Sequence, residues 1–148
     1  MHNCIFCKIV KKEIPAHIVY EDDDFMAFLD INPLSPGHCM IIPKKHYRWV
    51  WDVPSRFRNC PNVESNLQNT GPNISDYFEV ARKVAKAQMK AFDTDWILSK
   101  IVGEDVPHAH IWIYPNNKTK GDPPSQGFGG ASKKDFEGNT EKIKTNLK

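Results

Sequence analysis

Two groups of residues in this sequence have types and spacings that can do chemistry. The first is Val106-Pro107-His108-Ala109-His110-Ile111-Trp112-Ile113. Polar and apolar residues alternate along it, which predicts a β-strand over 106–113 with successive side chains on opposite faces. His108, His110 and Trp112 then share one face, while Ala109, Ile111 and Ile113 pack on the other. Two neighbouring imidazoles on one face can bind metal or attack an electrophile near neutral pH, although strand histidines also cap core edges. The second group is Cys4-Ile5-Phe6-Cys7, whose spacing lets both sulfurs reach one tetrahedral ion. A thioredoxin-like redox pair wants a strand before it, which a position four residues from the first residue does not supply, so zinc is preferred over redox chemistry or plain reduced thiols. Two ligands are then missing. His46, in Pro43-Lys44-Lys45-His46, and His108 complete a Cys2His2 set, with His2 and His17 as competitors.

The elements that must position these residues follow from periodicity. Residues 5–12 suit a short helix that ends before Pro15. His17–Tyr20 and Phe25–Leu29 flank the acidic turn Glu21-Asp22-Asp23-Asp24 and predict an antiparallel hairpin, the acidic run being a solvated turn without the spaced ligands of a calcium loop. A turn-rich loop over 30–37 leads to a third strand, His38–Pro43. Residues 47–72 lose periodicity and read as an irregular insertion that holds Cys60 as a free thiol. Asn73 or Ser75 can cap an amphipathic helix whose apolar stripe is Phe78, Ala81, Val84, Ala85, Met89 and Phe92. Trp96–Val102 then pairs with the histidine strand through a short Gly103-Glu104-Asp105 turn. Residues 116–134 are a flexible connector, and 135–148 a C-terminal helix docked by Phe136, Ile143 and Leu147.

The histidine strand resembles the motif of the histidine triad (HIT) family, His-x-His-x-His followed by two apolar residues, with Trp112 in place of the third histidine. Members are nucleotide hydrolases and transferases whose middle histidine attacks an α-phosphate, which implies His110 as the catalytic residue. Some bacterial members, and the related galactose-phosphate uridylyltransferases, hold a structural zinc on two cysteines, an intervening histidine and the histidine two before the nucleophile. The matching positions are Cys4, Cys7, His46 and His108. The resemblance also implies a nucleoside pocket, with Asp30 on the ribose hydroxyls and Ile5, Phe6, Ile9, Phe28 and Ile31 as the apolar wall around the base. Many members carry an asparagine-glycine loop that contacts phosphate. This chain has no such loop, and Ser99 or Asp105 stands nearest to replace it, beside Trp112. An indole donates one hydrogen bond but cannot shuttle a proton. Uridylyltransferases carry glutamine there, so a third histidine is not a chemical necessity.

The implied fold is α+β, the HIT fold: a five-stranded antiparallel sheet with one main helix and a short N-terminal helix. The resemblance spans about residues 3–115 apart from 47–72, and it implies a homodimer built by sheet continuation. The expected function is hydrolysis or nucleotidyl transfer at the α-phosphate of nucleoside phosphoramidates or dinucleoside polyphosphates, through a nucleotidyl-histidine intermediate. The alternatives are a catalytically weak nucleotide-binding or scaffolding protein and a zinc-stabilised interaction module.

Composition agrees with one such domain over 1–148. The chain has 148 residues, 40% hydrophobic and 26% charged, as in ordinary globular proteins. A net charge of +2 gives little pull on nucleic acid, and the lysines on the amphipathic helix read as a solvated face. No secretory signal pattern or membrane-length apolar run is present, so the expected location is the cytoplasm, without membrane or nucleic-acid partners.

Overall fold

The computed structural model describes residues 3–55, 71–116 and 134–147. Most of the 47–72 insertion, Cys60 with it, residues 117–133 of the 116–134 connector and His2 lie outside the described residues. Five strands, β1 (Ile18–Glu21), β2 (Phe25–Leu29), β3 (Cys39–Pro43), β4 (Ile97–Lys100) and β5 (Ile111–Pro115), form one antiparallel sheet in the order β1-β2-β3-β5-β4. The helices are α1 (Ile5–Val10), α2 (Ile74–Ala91) and α3 (Phe136–Thr145). This is the expected α+β architecture, a five-stranded antiparallel sheet with one long helix and a short N-terminal one.

Strand alternation sorts the core into two layers. Phe25, Ala27 and Leu29 of β2, Cys39 and Ile41 of β3, and Ile111 and Ile113 of β5 meet α2 and α3. Met26, Phe28 and Ile42 face the other way, onto Phe6 and Ile9 of α1. The six residues of α1 cover only part of that second face. The cover stops short of Trp112, and that leaves room for a cavity.

Helices α2 and α3 start on polar caps. The Asn73 side chain accepts the Asp76 amide at 3.0 Å, and Asp135 accepts the Gly138 amide at 3.0 Å, each satisfying an otherwise unpaired first-turn donor. The buried stripe of α2 differs from the expected one: Tyr77, Val80, Ala81, Val84, Ala87 and Gln88 face inward, and Phe78 is 43% exposed. Tyr77 sets this rotation. Its hydroxyl donates to the Ile41 carbonyl at 2.7 Å and its ring stacks on Phe25, which turns the next residue toward solvent. Gln88 ties the same face to the sheet by donating to the Gly37 and Ile113 carbonyls at 2.7 and 3.0 Å. Phe136 and Leu147 of the C-terminal segment pack on the core around fully buried Ile143. The acidic turn is a capped hairpin, with Asp22 Oδ1 accepting the amides of Asp24 and Phe25.

The histidine segment departs from expectation. A strand over 106–113 joined by a three-residue turn is replaced by β5 beginning at Ile111, after a long loop over 101–110. Three backbone positions explain it. Pro107 has none, the His108 amide turns back onto the Val106 carbonyl at 2.8 Å, and the Ala109 amide goes to the Tyr47 carbonyl at 2.7 Å. The ladders of β5 therefore begin only at Ile111 on β3 and at Trp112 on β4. Gly103, at φ +74°, lets this loop close beneath Trp49, where a side chain would collide with the indole. The Arg48 guanidinium stacks on Trp49 and donates to the Gly103 carbonyl at 3.0 Å.

Candidate functional site

Cys4 precedes α1, Cys7 lies within it, His46 follows β3, and His108 lies near the end of the 101–110 loop. The fold brings all four together, their ligand atoms within 4.8 Å of one another. Cys4 Sγ is 3.4 Å and Cys7 Sγ 3.5 Å from His108 Nδ1, and Cys7 Sγ is 3.2 Å from His46 Nδ1. A tetrahedral ion with ligand bonds of about 2.0–2.3 Å needs its donors roughly 3.3–3.8 Å apart, so the set fits a metal with small adjustment. His108 is oriented for it. Its Nε2 hydrogen lies on the Pro43 carbonyl at 2.9 Å, which leaves the Nδ1 lone pair directed at the sulfurs. Burial lowers the His108 pKa to about 4, keeping the imidazole neutral as a ligand must be. Burial, then the hydrogen bond and charge of Cys4, push the Cys7 thiol up to about 11, so a Cys7 thiolate here requires a cation beside it. His17 is elsewhere, stacked on Phe136 at 5.1 Å, and does not join the set.

Next to this cluster, a cavity of about 490 Å³ lies between α1, the start of the 30–37 loop and β5. Ile5, Phe6, Ile9, Phe28, Asp30, Ile31, Asp105, His110 and Trp112, all singled out from the sequence, line it. Phe6 links the two sites: its ring meets those of Phe28, His108 and His110 edge-on at 5.5, 5.8 and 5.4 Å. Asp30 has two roles. Its Oδ1 accepts the Asn32 amide at 2.8 Å, as a turn-capping carboxylate does, while Oδ2 lies 3.8 Å from His38 Nδ1 at the cavity wall.

The tautomer of His110 follows from its neighbour. Nδ1 is 2.7 Å from the His108 carbonyl, which can only accept, so the neutral ring carries its hydrogen there and its lone pair on Nε2. Trp112 lies 6.5 Å from His110, its ring at 29°.

Ser99 is not brought to the cavity. It pairs with Ile113, whose side chain belongs to the α2 face, so alternation sends Ser99 to the opposite side of the sheet. The neighbouring residue, Lys100, pairs with Trp112 and shares the cavity face. Sequence reasoning also missed His38. This residue is 1% exposed, accepts the Leu34 amide on Nδ1 at 3.2 Å, and meets the Trp112 ring at 5.1 Å. Its position after the Pro36-Gly37 turn was a usable signal, since a histidine opening an apolar strand is unusual.

With this geometry in place, the chain matches the HIT domain over residues 11–119. It is 60% identical over 113 residues to Protein HitA of Neisseria gonorrhoeae, covering 76% of this chain and 95% of the relative. It is 37% identical over 120 residues to the adenosine 5'-monophosphoramidase of Saccharomyces cerevisiae, covering 79% and 65%. A zinc-bound histidine triad family protein from Mycobacterium smegmatis superposes with a TM-score of 0.74 at 25% identity, covering 99% and 94%. Among the described residues, no helix is long and apolar enough to cross a membrane.

Proposed function

The chain belongs to the HIT domain family, and on that premise we propose that it is a nucleotide hydrolase or nucleotidyl transferase acting at the α-phosphate through a nucleotidyl-histidine intermediate. The observation that carries the reading is the tautomer of His110: with Nδ1–H held by the His108 carbonyl, a nucleophilic lone pair stands on the cavity wall. The apolar residues of α1 and β2 form the bed for a base, and the Asp30 carboxylate accepts from ribose hydroxyls. Nε2 attacks the α-phosphorus, the bond to the leaving group breaks, and water or another acceptor then resolves the P–N bond.

The metal of this reading is zinc on Cys4, Cys7, His46 and His108, with a structural role. Its four protein ligands leave no open position, so what it supplies is rigidity. His108 held in this way fixes the carbonyl that orients His110. The same reading includes a homodimer formed by sheet continuation, for which β1 and β4 each have one sheet neighbour among the described residues, and a cytoplasmic location.

The test is product release from adenosine and guanosine phosphoramidates and dinucleoside polyphosphates by wild type and His110→Ala, at matched zinc content. A loss of about 10³-fold or more in the variant is expected for removal of a nucleophile. Turnover that survives in His110→Ala overturns the covalent route. Trp112, which cannot relay a proton, favours the second reading of a nucleotide-binding or scaffolding protein, and that reading wins if nucleotide binds without turnover in either protein.

A further inference from the structure

Trp112 lines the cavity, and the sheet face that carries it differs in chemistry from the apolar wall around it. Two further groups neighbour Trp112 on that face. Lys100 stands opposite Trp112 in the β4–β5 ladder and therefore on the same face of the sheet. It is exposed, no ion pair engages it among the described residues, and its charge reaches His38, where it disfavours protonation. Trp112 Nε1 is a hydrogen-bond donor with no partner among the described residues, and so is His38 Nε2. The donor character of the latter follows from Nδ1, which accepts the Leu34 amide and so leaves the ring hydrogen on Nε2. Buried donors without acceptors are rare in folded proteins, and two neighbouring ones on the sheet face that also carries Lys100 suit an anion.

We propose that Lys100, with the Trp112 indole N–H, selects nucleotides that carry a further phosphate beyond the α-phosphate, over phosphoramidates. This rests on the nucleotide reading of the cavity and narrows its substrate class. Leaving-group chemistry agrees. An amine expelled from a phosphoramidate must gain a proton as the P–N bond breaks, and an indole cannot give one at neutral pH. A phosphate or nucleoside phosphate needs none. When His110 Nε2 bonds to the α-phosphorus, the P–O bond to the next phosphate breaks, its electron pair stays on the departing oxygen, and Lys100 offsets the added negative charge. Water then hydrolyses the P–N link and releases the nucleoside monophosphate.

The experiment measures binding, so it does not depend on turnover. The zinc-loaded wild type, Lys100→Met and Lys100→Arg are titrated calorimetrically with AMP, with α,β-methylene-ADP, whose bridging carbon resists cleavage, and with the guanosine equivalents. Wild type is expected to bind the diphosphate analogue about tenfold tighter than the monophosphate, as a charge-assisted contact would give. Lys100→Met brings that ratio close to one, and Lys100→Arg keeps most of it. A ratio that is the same in wild type and Lys100→Met, with nucleotide bound by both, overturns the role of Lys100 and leaves the nucleotide reading standing. Failure of the wild type to bind any of the four overturns both.

Discussion

The two sides of His110 are built differently. On one side, His108 has both ring nitrogens engaged, Nε2 on the Pro43 carbonyl and Nδ1 against two sulfurs, and nothing of the ring reaches solvent. On the other, Trp112 and His38 each keep a buried N–H that has no acceptor among the described residues, and Lys100, opposite Trp112 in the ladder, has no ion pair among them. The first side fixes the geometry of the backbone carbonyl that sets the His110 tautomer. The second holds polar capacity that the fold itself does not use. A satisfied network resists change, and an unsatisfied one rewards whatever arrives to complete it. The difference separates the part of the site that is scaffold from the part that meets substrate.

The sharpest way to break the contrast is to remove the scaffold. Chelation, or Cys4→Ala, is expected to lower the melting temperature by about 10 °C or more, because metal affinity for a preformed set is folding free energy. Differential scanning calorimetry with and without chelator measures it. The corresponding loss for Trp112→Phe is a few degrees at most, since it deletes an N–H that has no partner.

A smaller effect sharpens the contrast through pH. Burial lowers the His38 pKa from 6.5 to about 4, with Asp30 opposing and Lys100 assisting. In the unfolded chain His38 titrates near its ordinary value, so between pH 6.5 and 4 the unfolded state binds more protons than the native state. Stability contributed by neutral His38 is therefore complete above about pH 6.5 and is lost as the pH falls toward 4, by up to about 3 kcal/mol. Denaturant titrations across that range are expected to find this slope in wild type and a shallower one in His38→Gln.

Much of the scaffold side was legible in the sequence, because metal ligation imposes residue types that few other tasks require. Cys4, Cys7, His46 and His108 lie up to 104 residues apart, and their chemistry alone pairs them. The sheet was legible through alternation, and α2 through its cap. What failed were positions decided by particular hydrogen bonds. The start of β5 depends on the Tyr47 carbonyl capturing the Ala109 amide, and the rotation of α2 on the Tyr77 hydroxyl finding the Ile41 carbonyl. Neither leaves a periodic trace. The substrate side was least legible, since His38 and Lys100 gain meaning only from which rings and strands they face.

Ser99 and Lys100 make the finest test, being adjacent in sequence and opposite in role. Their assignment depends on register alone: Ser99 pairs with Ile113 and Lys100 with Trp112, and a slip of one residue would exchange their faces. Ser99→Ala is expected to change stability by no more than about 0.5 kcal/mol, as for an exposed residue outside any network. It is also expected to leave affinity for the monophosphate and for the diphosphate analogue within about twofold of wild type, because no path on the α2 face reaches the cavity. Calorimetric titration beside Lys100→Met reads both residues under one condition. A Ser99→Ala defect specific to the diphosphate analogue would place β4 in the other register and return the phosphate contact to Ser99. A silent Ser99→Ala beside an impaired Lys100→Met fixes the register functionally, since only the observed pairing puts the lysine on the face that His110 shares with Trp112.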